Sequence, residues 1–395
     1  MAEDLDYRKE IARELLSSGI EAGDLENQPD PAMLAASAAL AADLGIPFPV
    51  GLTPTPVAIN PPPDLNAALP TADVVVVTWT VDEQMALCDV LTPKVTRDHW
   101  YRYARNFAAY EPKIRPHAPA RNAKRLGSYY LTTIGSKRVL CIKSELHLNQ
   151  DGVQDPPVGA PHNASLPVKD FFHQILDEAK PSLIITTGTA GGVFAEHDLG
   201  DVVVTRGAKF RLQQEFRDAP FNDKTYQSNW AVGTAHFSKA VELMRRFKTR
   251  ISEPEFLPPT VNFAPLDHIP KPIRENDPDI KLDGIDMPAF HPILTTDYFE
   301  FGTSTNRLDQ IGCAVEMGDA VLGLTMEERK AAGKSTPNWL VIRNCSDPQI
   351  NGALRNRPAK QSLQIMWAVY YYKGFGYWTT VNSALATWAV IAGLP

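Results

Sequence analysis

The segment ADVVVVTWTVDEQMALCDVL, residues 72–91, constrains the fold more than any other part of the chain. Four consecutive valines put apolar side chains on both faces of a strand, so both faces must be covered. A short polar turn and helix-period residues follow directly. Similar runs recur at Val139 to Lys143, Ser182 to Thr187, Asp201 to Thr205 and Trp339 to Arg343, and helical patterns occupy Val168 to Ala179 and Ala314 to Ala332. This alternation predicts an α/β fold: a mostly parallel or mixed twisted sheet flanked by helices. A last helix is expected from Gln361 to Ile391, interrupted near KGFGY, with Trp367, Trp378 and Trp388 packed on the sheet.

The remaining length is uneven in texture. Ten of the 33 prolines fall in the first 70 residues. Residues 1–70 read as an N-terminal arm with helices near Tyr7 to Leu16 and Ala32 to Leu44, then extended proline-punctuated chain. The α/β domain is expected over 71–395, with long insertions at about 96–130 and 206–292. No apolar run approaches the roughly 18 residues that span a bilayer, which argues against a membrane partner. Four scattered cysteines, Cys88, Cys141, Cys313 and Cys345, sit in apolar stretches and read as core thiols of a cytoplasmic protein. The net charge of −7 argues against a dedicated nucleic-acid binder.

One stretch opposes that charge. Between Arg97 and Arg125 stand eight basic residues against Asp98 and Glu111, interleaved with Trp100, Tyr101, Tyr103, Phe107 and Tyr110. Three readings stay open: a solvated helix whose aromatics face the core, a neutralising surface for phosphates on a nucleotide substrate, or, least favoured, a nucleic-acid contact. Arg206, Lys209, Arg211 and Arg217 offer a second set of cations for the same purpose.

The most informative motif is KPSLIITTGTAGGVFAEHDLGDVVVT, residues 180–205, where a buried strand runs into Gly188-Thr189-Ala190-Gly191-Gly192. Glycines at a strand end let a ligand approach the backbone. Together with VVVVTWTVDEQMAL, ILTTDYFEFGT, CAVEMGDAVLGL and VIRNCSDPQI in that order, it resembles the purine nucleoside phosphorylase and nucleosidase superfamily. The likeness points to the methylthioadenosine/S-adenosylhomocysteine nucleosidase branch and covers roughly half of the chain.

The resemblance implies a catalytic acid at Asp347, supported by Ser346, with Arg343 orienting the nucleophile and Glu83 activating water. It also implies substrate contacts at Thr189, Ala190 and Gly191 and an aromatic on the base at Phe299. Cleaving a ribose–purine bond builds negative charge on the leaving base, which is why an acid must protonate the imidazole side of the purine. An acid that donates to the ring nitrogen while its other oxygen accepts from an exocyclic amine favours adenine.

The ribose site departs from the pattern. Relatives read V-E-M-E-G-A, whereas this chain reads Val315-Glu316-Met317-Gly318-Asp319-Ala320. The second acid is displaced by one residue, about 100° on a helix, so Glu316, Met317 and Asp319 are the candidate sugar contacts. Thr186 stands where phosphorylases of this kind carry an arginine, which favours water over phosphate as nucleophile. The expected activity is hydrolysis of the N-glycosidic bond of a purine, preferably adenine, nucleoside or nucleotide. Phosphorolysis and non-catalytic purine binding or storage are the alternatives. The histidines lack ligand spacing, so no metal or cofactor is expected, and the resemblance implies a homo-oligomer, with a dimer favoured.

Overall fold

The computed structural model describes residues 44–148, 154–155, 163–252, 277–303, 306–349 and 363–395. The two helices expected in the first 43 residues lie outside these, as does Gln361. Among the described residues thirteen strands share one sheet. In chain order they are β1 (Thr55–Val57), β2 (Val74–Thr78), β3 (Tyr101–Tyr103), β4 (Gly127–Ile134), β5 (Lys137–Ser144) and β6 (Leu183–Gly192). There follow β7 (Val202–Thr205), β8 (Gly207–Phe210), β9 (Thr225–Gln227), β10 (Ile280–Leu282), β11 (Ile293–Thr295), β12 (Ala314–Glu316) and β13 (Asn338–Asp347). The main helices are α1 (Val81–Leu91), α2 (Pro167–Ala179), α3 (Ser238–Arg245), α4 (Asp319–Ala331) and α5 (Leu363–Ala392).

The sheet is mixed and flanked by helices on both faces. Its path runs β1-β4-β5-β2-β6-β12-β11-β8-β9, while β13 pairs with both β6 and β7. The central four, β5, β2, β6 and β13, are parallel. In β2, Val74 and Val76 enter one apolar cluster with α1 and α5, and Val75 and Val77 enter the other with α2 and α4. Alternate side chains of a strand point to opposite faces, so two covered faces require the unbroken valine run. All four cysteines are buried and free.

Three expectations are corrected. Ala314–Glu316 is a strand, and the helix expected from Ala314 begins only at Asp319. The stretches at 96–130 and 206–292 hold sheet strands: β3 and half of β4 in the first, β8, β9 and β10 in the second. The last helix runs unbroken through KGFGY. Burial of Tyr371, Phe375 and Trp378 overrides the weak helix propensity of glycine there, and a side chain at 376 would come within 3.6 Å of Asp82 Oδ2 on α1.

Helix α5 also anchors the described part of the arm. The indole of Trp388 donates to the Leu52 carbonyl at 2.8 Å and its ring meets Phe48, while β1 extends the sheet by pairing with β4. Trp378 instead stacks on Phe247, with Arg250 over its face. Trp388→Ala is therefore expected to cost about 3–5 kcal/mol, the usual range for removing a buried indole, read as a lower urea midpoint at unchanged slope.

Candidate functional site

The carboxyl ends of β2, β6 and β13 bring the candidate residues together. Thr80 caps α1 by accepting from the Glu83 N–H at 3.0 Å, and the Glu83 carboxylate reaches back to the Thr80 N–H at 2.9 Å. This capping box turns Glu83 inward. Its Oε2 also accepts from the Thr78 hydroxyl at 2.7 Å and the Trp79 N–H at 3.0 Å. Its Oε1 accepts from the N–H and hydroxyl of Thr189 at 2.7 and 2.9 Å. Gly188, at φ +149°, leaves room for this contact, since any Cβ there would overlap Glu83 Oε1.

Arg343, at the inner part of β13, faces three carboxyl groups. Its Nε and Nη2 form a fork on Asp319 at 2.9 and 2.7 Å. Nη1 donates to the Thr189 carbonyl at 3.2 Å and reaches Glu83 Oε1 at 3.5 Å, and Nη2 lies 3.4 Å from Glu316 Oε2. The guanidinium also lies over the Trp79 ring, 4.8 Å from its centroid. Burial works against the Arg343 charge, but Asp319, Glu316 and Glu83 outweigh it and raise its pKa. Burial alone would likewise raise Glu83. Arg343 and the N–H groups of Thr189, Thr80 and Trp79 overcome that and hold Glu83 below its ordinary value.

Glu316 ends β12, where the Thr295 hydroxyl and the N–H groups of Gly318 and Asp319 all donate to it. Burial and then the neighbouring Asp319 push its pKa up, against the pull of Arg343. Asp319 opens α4 and is wholly buried. Both of its oxygens are held by Arg343, so it serves as the guanidinium's partner. Met317, between them, is half-buried.

Asp347 has the opposite environment to Glu83. A β-bulge between Cys345 and Asp347 inserts Ser346 and sets Asp347 opposite Gly191. The Ser346 hydroxyl contacts Asp347 Oδ1 at 3.0 Å and the Ala190 carbonyl at 3.4 Å. Oδ2 receives no hydrogen bond from the described residues, and a Cβ at Gly191 would come within 2.9 Å of it. Burial raises the Asp347 pKa to about 7, only partly opposed by Ser346.

Phe299 stands half-buried, its ring 5.9 Å from that of Phe301. The same loop reaches the end of β6, where Gly302 closes on the Gly192 carbonyl. Thr78, Trp79 and Thr295 belong to this centre and were not singled out from the sequence. Trp79 and Thr78 flank Glu83 in TWTVDE, and hydroxyls beside a carboxylate in a buried run are the signal that points to them. No group of histidine, cysteine and acidic residues suited to a metal ion occurs among the described residues.

The basic stretch divides in two. Lys113, Arg105 and Arg115 pair with Asp170, Glu178 and Glu215 and brace the fold, while Trp100, Tyr103 and Tyr110 are buried. In the second set, Arg206, Lys209 and Arg211 are engaged by Asp283, Asp223 and Glu300. No helix among the described residues is long and apolar enough to cross a membrane.

Residues 101–322 match the family model described as the phosphorylase superfamily. No curated protein matches the chain. Solved structures similar to it include a 5'-methylthioadenosine/S-adenosylhomocysteine nucleosidase from Neisseria meningitidis, at 14% identity and a TM-score of 0.43, covering 81% of this chain and 99% of that one. An S-adenosylhomocysteine nucleosidase from Streptococcus pyogenes stands at 14% and 0.42, with 83% and 100% covered. A futalosine hydrolase of Helicobacter pylori stands at 9% and 0.40, with 81% and 97% covered.

Removing one partner of a buried ion pair leaves an uncompensated charge. Asp319→Ala should therefore destabilise the protein by about 3–5 kcal/mol, seen as an earlier denaturant midpoint, whereas Asp319→Glu should recover part of the loss.

Proposed function

The chain belongs to the phosphorylase superfamily, and from that premise we propose that it hydrolyses the N-glycosidic bond of a purine, preferably adenine, nucleoside or nucleotide. The observation that carries this reading is the contrast at one strand end. Asp347 is a buried acid with a pKa near 7 and one open oxygen, and Glu83 is a carboxylate kept ionised by Arg343 and backbone N–H groups. Two carboxyl groups driven apart in this way divide the roles of acid and base.

In the reaction the bond between the sugar's anomeric carbon and the purine nitrogen breaks, and its electron pair passes to the base. Asp347 donates its proton to the imidazole nitrogen, so the base leaves neutral. Water attacks the sugar cation and gives up a proton toward Glu83. Water bonded to such a cation is strongly acidic, so a carboxylate of lowered pKa is base enough. Arg343 fixes Glu83 and Thr189 relative to each other, and Thr189, Ala190 and Gly191 form the glycine-opened floor. Phe299 supplies the aromatic for the base, and Met317 with Glu316 faces the sugar.

Water is favoured over phosphate because the guanidinium at this centre is engaged by Asp319, Glu83 and Glu316, leaving no fork for a dianion. The working unit is proposed to be a homodimer acting on a small-molecule substrate.

Incubating the protein with adenosine, methylthioadenosine, S-adenosylhomocysteine and AMP, with and without phosphate, should release free adenine without phosphate. Asp347→Asn should lower that rate at least 100-fold, the scale of a lost general acid. Absence of base from every substrate would overturn the reading, and release only with phosphate would make the enzyme a phosphorylase.

The pH dependence follows from the same pair. Asp347 acts in its protonated form, so kcat/KM should fall tenfold per pH unit once the pH exceeds about 7. The acidic limb should lie well below that, because Glu83 loses its charge only beneath the ordinary carboxylate range. A flat profile from pH 6 to 9 would remove Asp347 as the acid.

A further inference from the structure

Next to Glu83 on α1, Gln84 lines a polar cavity of about 200 Å³ that the cleavage chemistry does not use. Its floor is Gln84 and Ser128, joined at 3.2 Å, and its walls carry Arg97, Arg102, Arg125 and Lys143. Against these four cations stand Asp98 and Glu145. In a chain of net charge −7 this is a local excess of positive charge. The volume is below the range of about 300–1,000 Å³ that holds whole ligands, so it suits a charged group extending from a larger molecule.

The groups are held in place. Buried Glu145 binds both Arg125, at 2.6 and 2.9 Å, and Lys143, so two cations of the wall are fixed by one carboxylate. Arg97 has only the solvent-exposed Asp98 at 4.0 Å as an ion-pair partner among the described residues. The side chain of Arg102, a residue that β3 pairs with Ser128 of β4, is exposed and forms no hydrogen bond or ion pair among them. A charged side chain that lines a cavity without a counter-ion is available to a ligand that brings one.

The position ties this cavity to the reaction centre. Lys143, the penultimate residue of β5, is the register partner of Thr78 on β2, whose hydroxyl holds Glu83. Gln84 follows Glu83 on α1. Across the carboxyl end of the sheet the order is thus Lys143, Thr78 with Glu83, Thr189, then Arg343 and Asp347, in steps of about 4.8 Å. A purine at Asp347 with its sugar near Glu83 leaves the next step, over β5, to whatever the sugar bears on its fifth carbon.

We propose that the Arg97–Arg102–Arg125–Lys143 cavity is the subsite for a phosphate carried on the fifth carbon of the sugar, making nucleotides the substrate class of the same site. The inference rests on the N-glycosidic reading given above. Arg102 and Arg97 supply the charge that meets the phosphate, and Glu145 fixes the other two cations as its wall.

The test has a binding arm that needs no turnover. By calorimetry on the intact protein, ribose 5-phosphate should bind, and ribose and inorganic phosphate each at least tenfold more weakly; Arg102→Glu should weaken ribose 5-phosphate about tenfold or more. In the kinetic arm, kcat/KM for AMP should exceed that for adenosine, and Arg102→Glu should lower this ratio about tenfold. Ribose 5-phosphate binding no better than ribose would overturn the subsite whether or not the protein cleaves nucleosides. Inorganic phosphate binding there, with adenosine cleavage dependent on it, would also overturn it by making the cavity the seat of a nucleophile. Absence of base from all substrates while ribose 5-phosphate still binds through Arg102 would sink the cleavage reading and leave the subsite standing.

Discussion

The buried guanidinium of Arg343 is the interaction on which the centre depends. It joins β13 to α1 through Glu83, to β6 through the Thr189 carbonyl, to α4 through Asp319 and to β12 through Glu316. One cation cannot neutralise three carboxylates in an apolar interior. The charge is reduced in two other ways. Glu316 is pushed toward its protonated form by burial and by Asp319. Glu83 draws on the N–H groups of Trp79 and Thr80 just before α1 and on Thr189, which stabilise an anion without a second cation. A knot of this type is weak proof of stability, but it fixes where five elements meet.

The displaced acid of V-E-M-G-D makes sense in that setting. Gly318 occupies the N-cap of α4 and has no side chain to accept the first N–H groups of the helix. Glu316, from the preceding strand, accepts two of them, and the Thr295 hydroxyl accepts the Ala320 N–H at 2.8 Å. With the cap supplied from outside, Asp319 is free to turn its whole carboxylate to Arg343. The one-residue shift therefore gives Arg343 a two-point ion pair with Asp319.

Most of the sheet's centre was legible because its physical cause is local. Strands covered on both faces need a continuous apolar run, and β2, β5, β6 and β13 each carry one: VVVV, VLCI, LII and WLVI. The peripheral strands β8, β9 and β10 are three or four residues long and carry no such run, so 206–292 reads as an insertion. The unbroken α5 was hidden for the opposite reason: its glycines signal a break, and only tertiary burial keeps the helix intact. At the site, Glu83, Thr189 and Arg343 are joined by hydrogen bonds, and Ser346 and Asp347 sit against the next residues of β6, Ala190 and Gly191. The bulge that inserts Ser346 depends on pairing with β6, a partner 155 residues earlier in register, and no local pattern announces it.

The same pairing explains how one strand end keeps an acid and an anion at a single pH. Glu83 and Asp347 approach β6 from opposite neighbours, β2 and β13, and each is matched to a glycine. Gly188 admits the Glu83 carboxylate to hydrogen-bond range of Thr189, whereas Gly191 leaves Asp347 Oδ2 beside bare backbone. The donors of this strand end are thus concentrated on one carboxyl group and withheld from the other. A donor introduced beside Asp347 would stabilise its ionised form, and loss of the donors at Glu83 would let burial raise its pKa. The glycine spacing in Gly188-Thr189-Ala190-Gly191 is consequently an electrostatic requirement as much as a steric one.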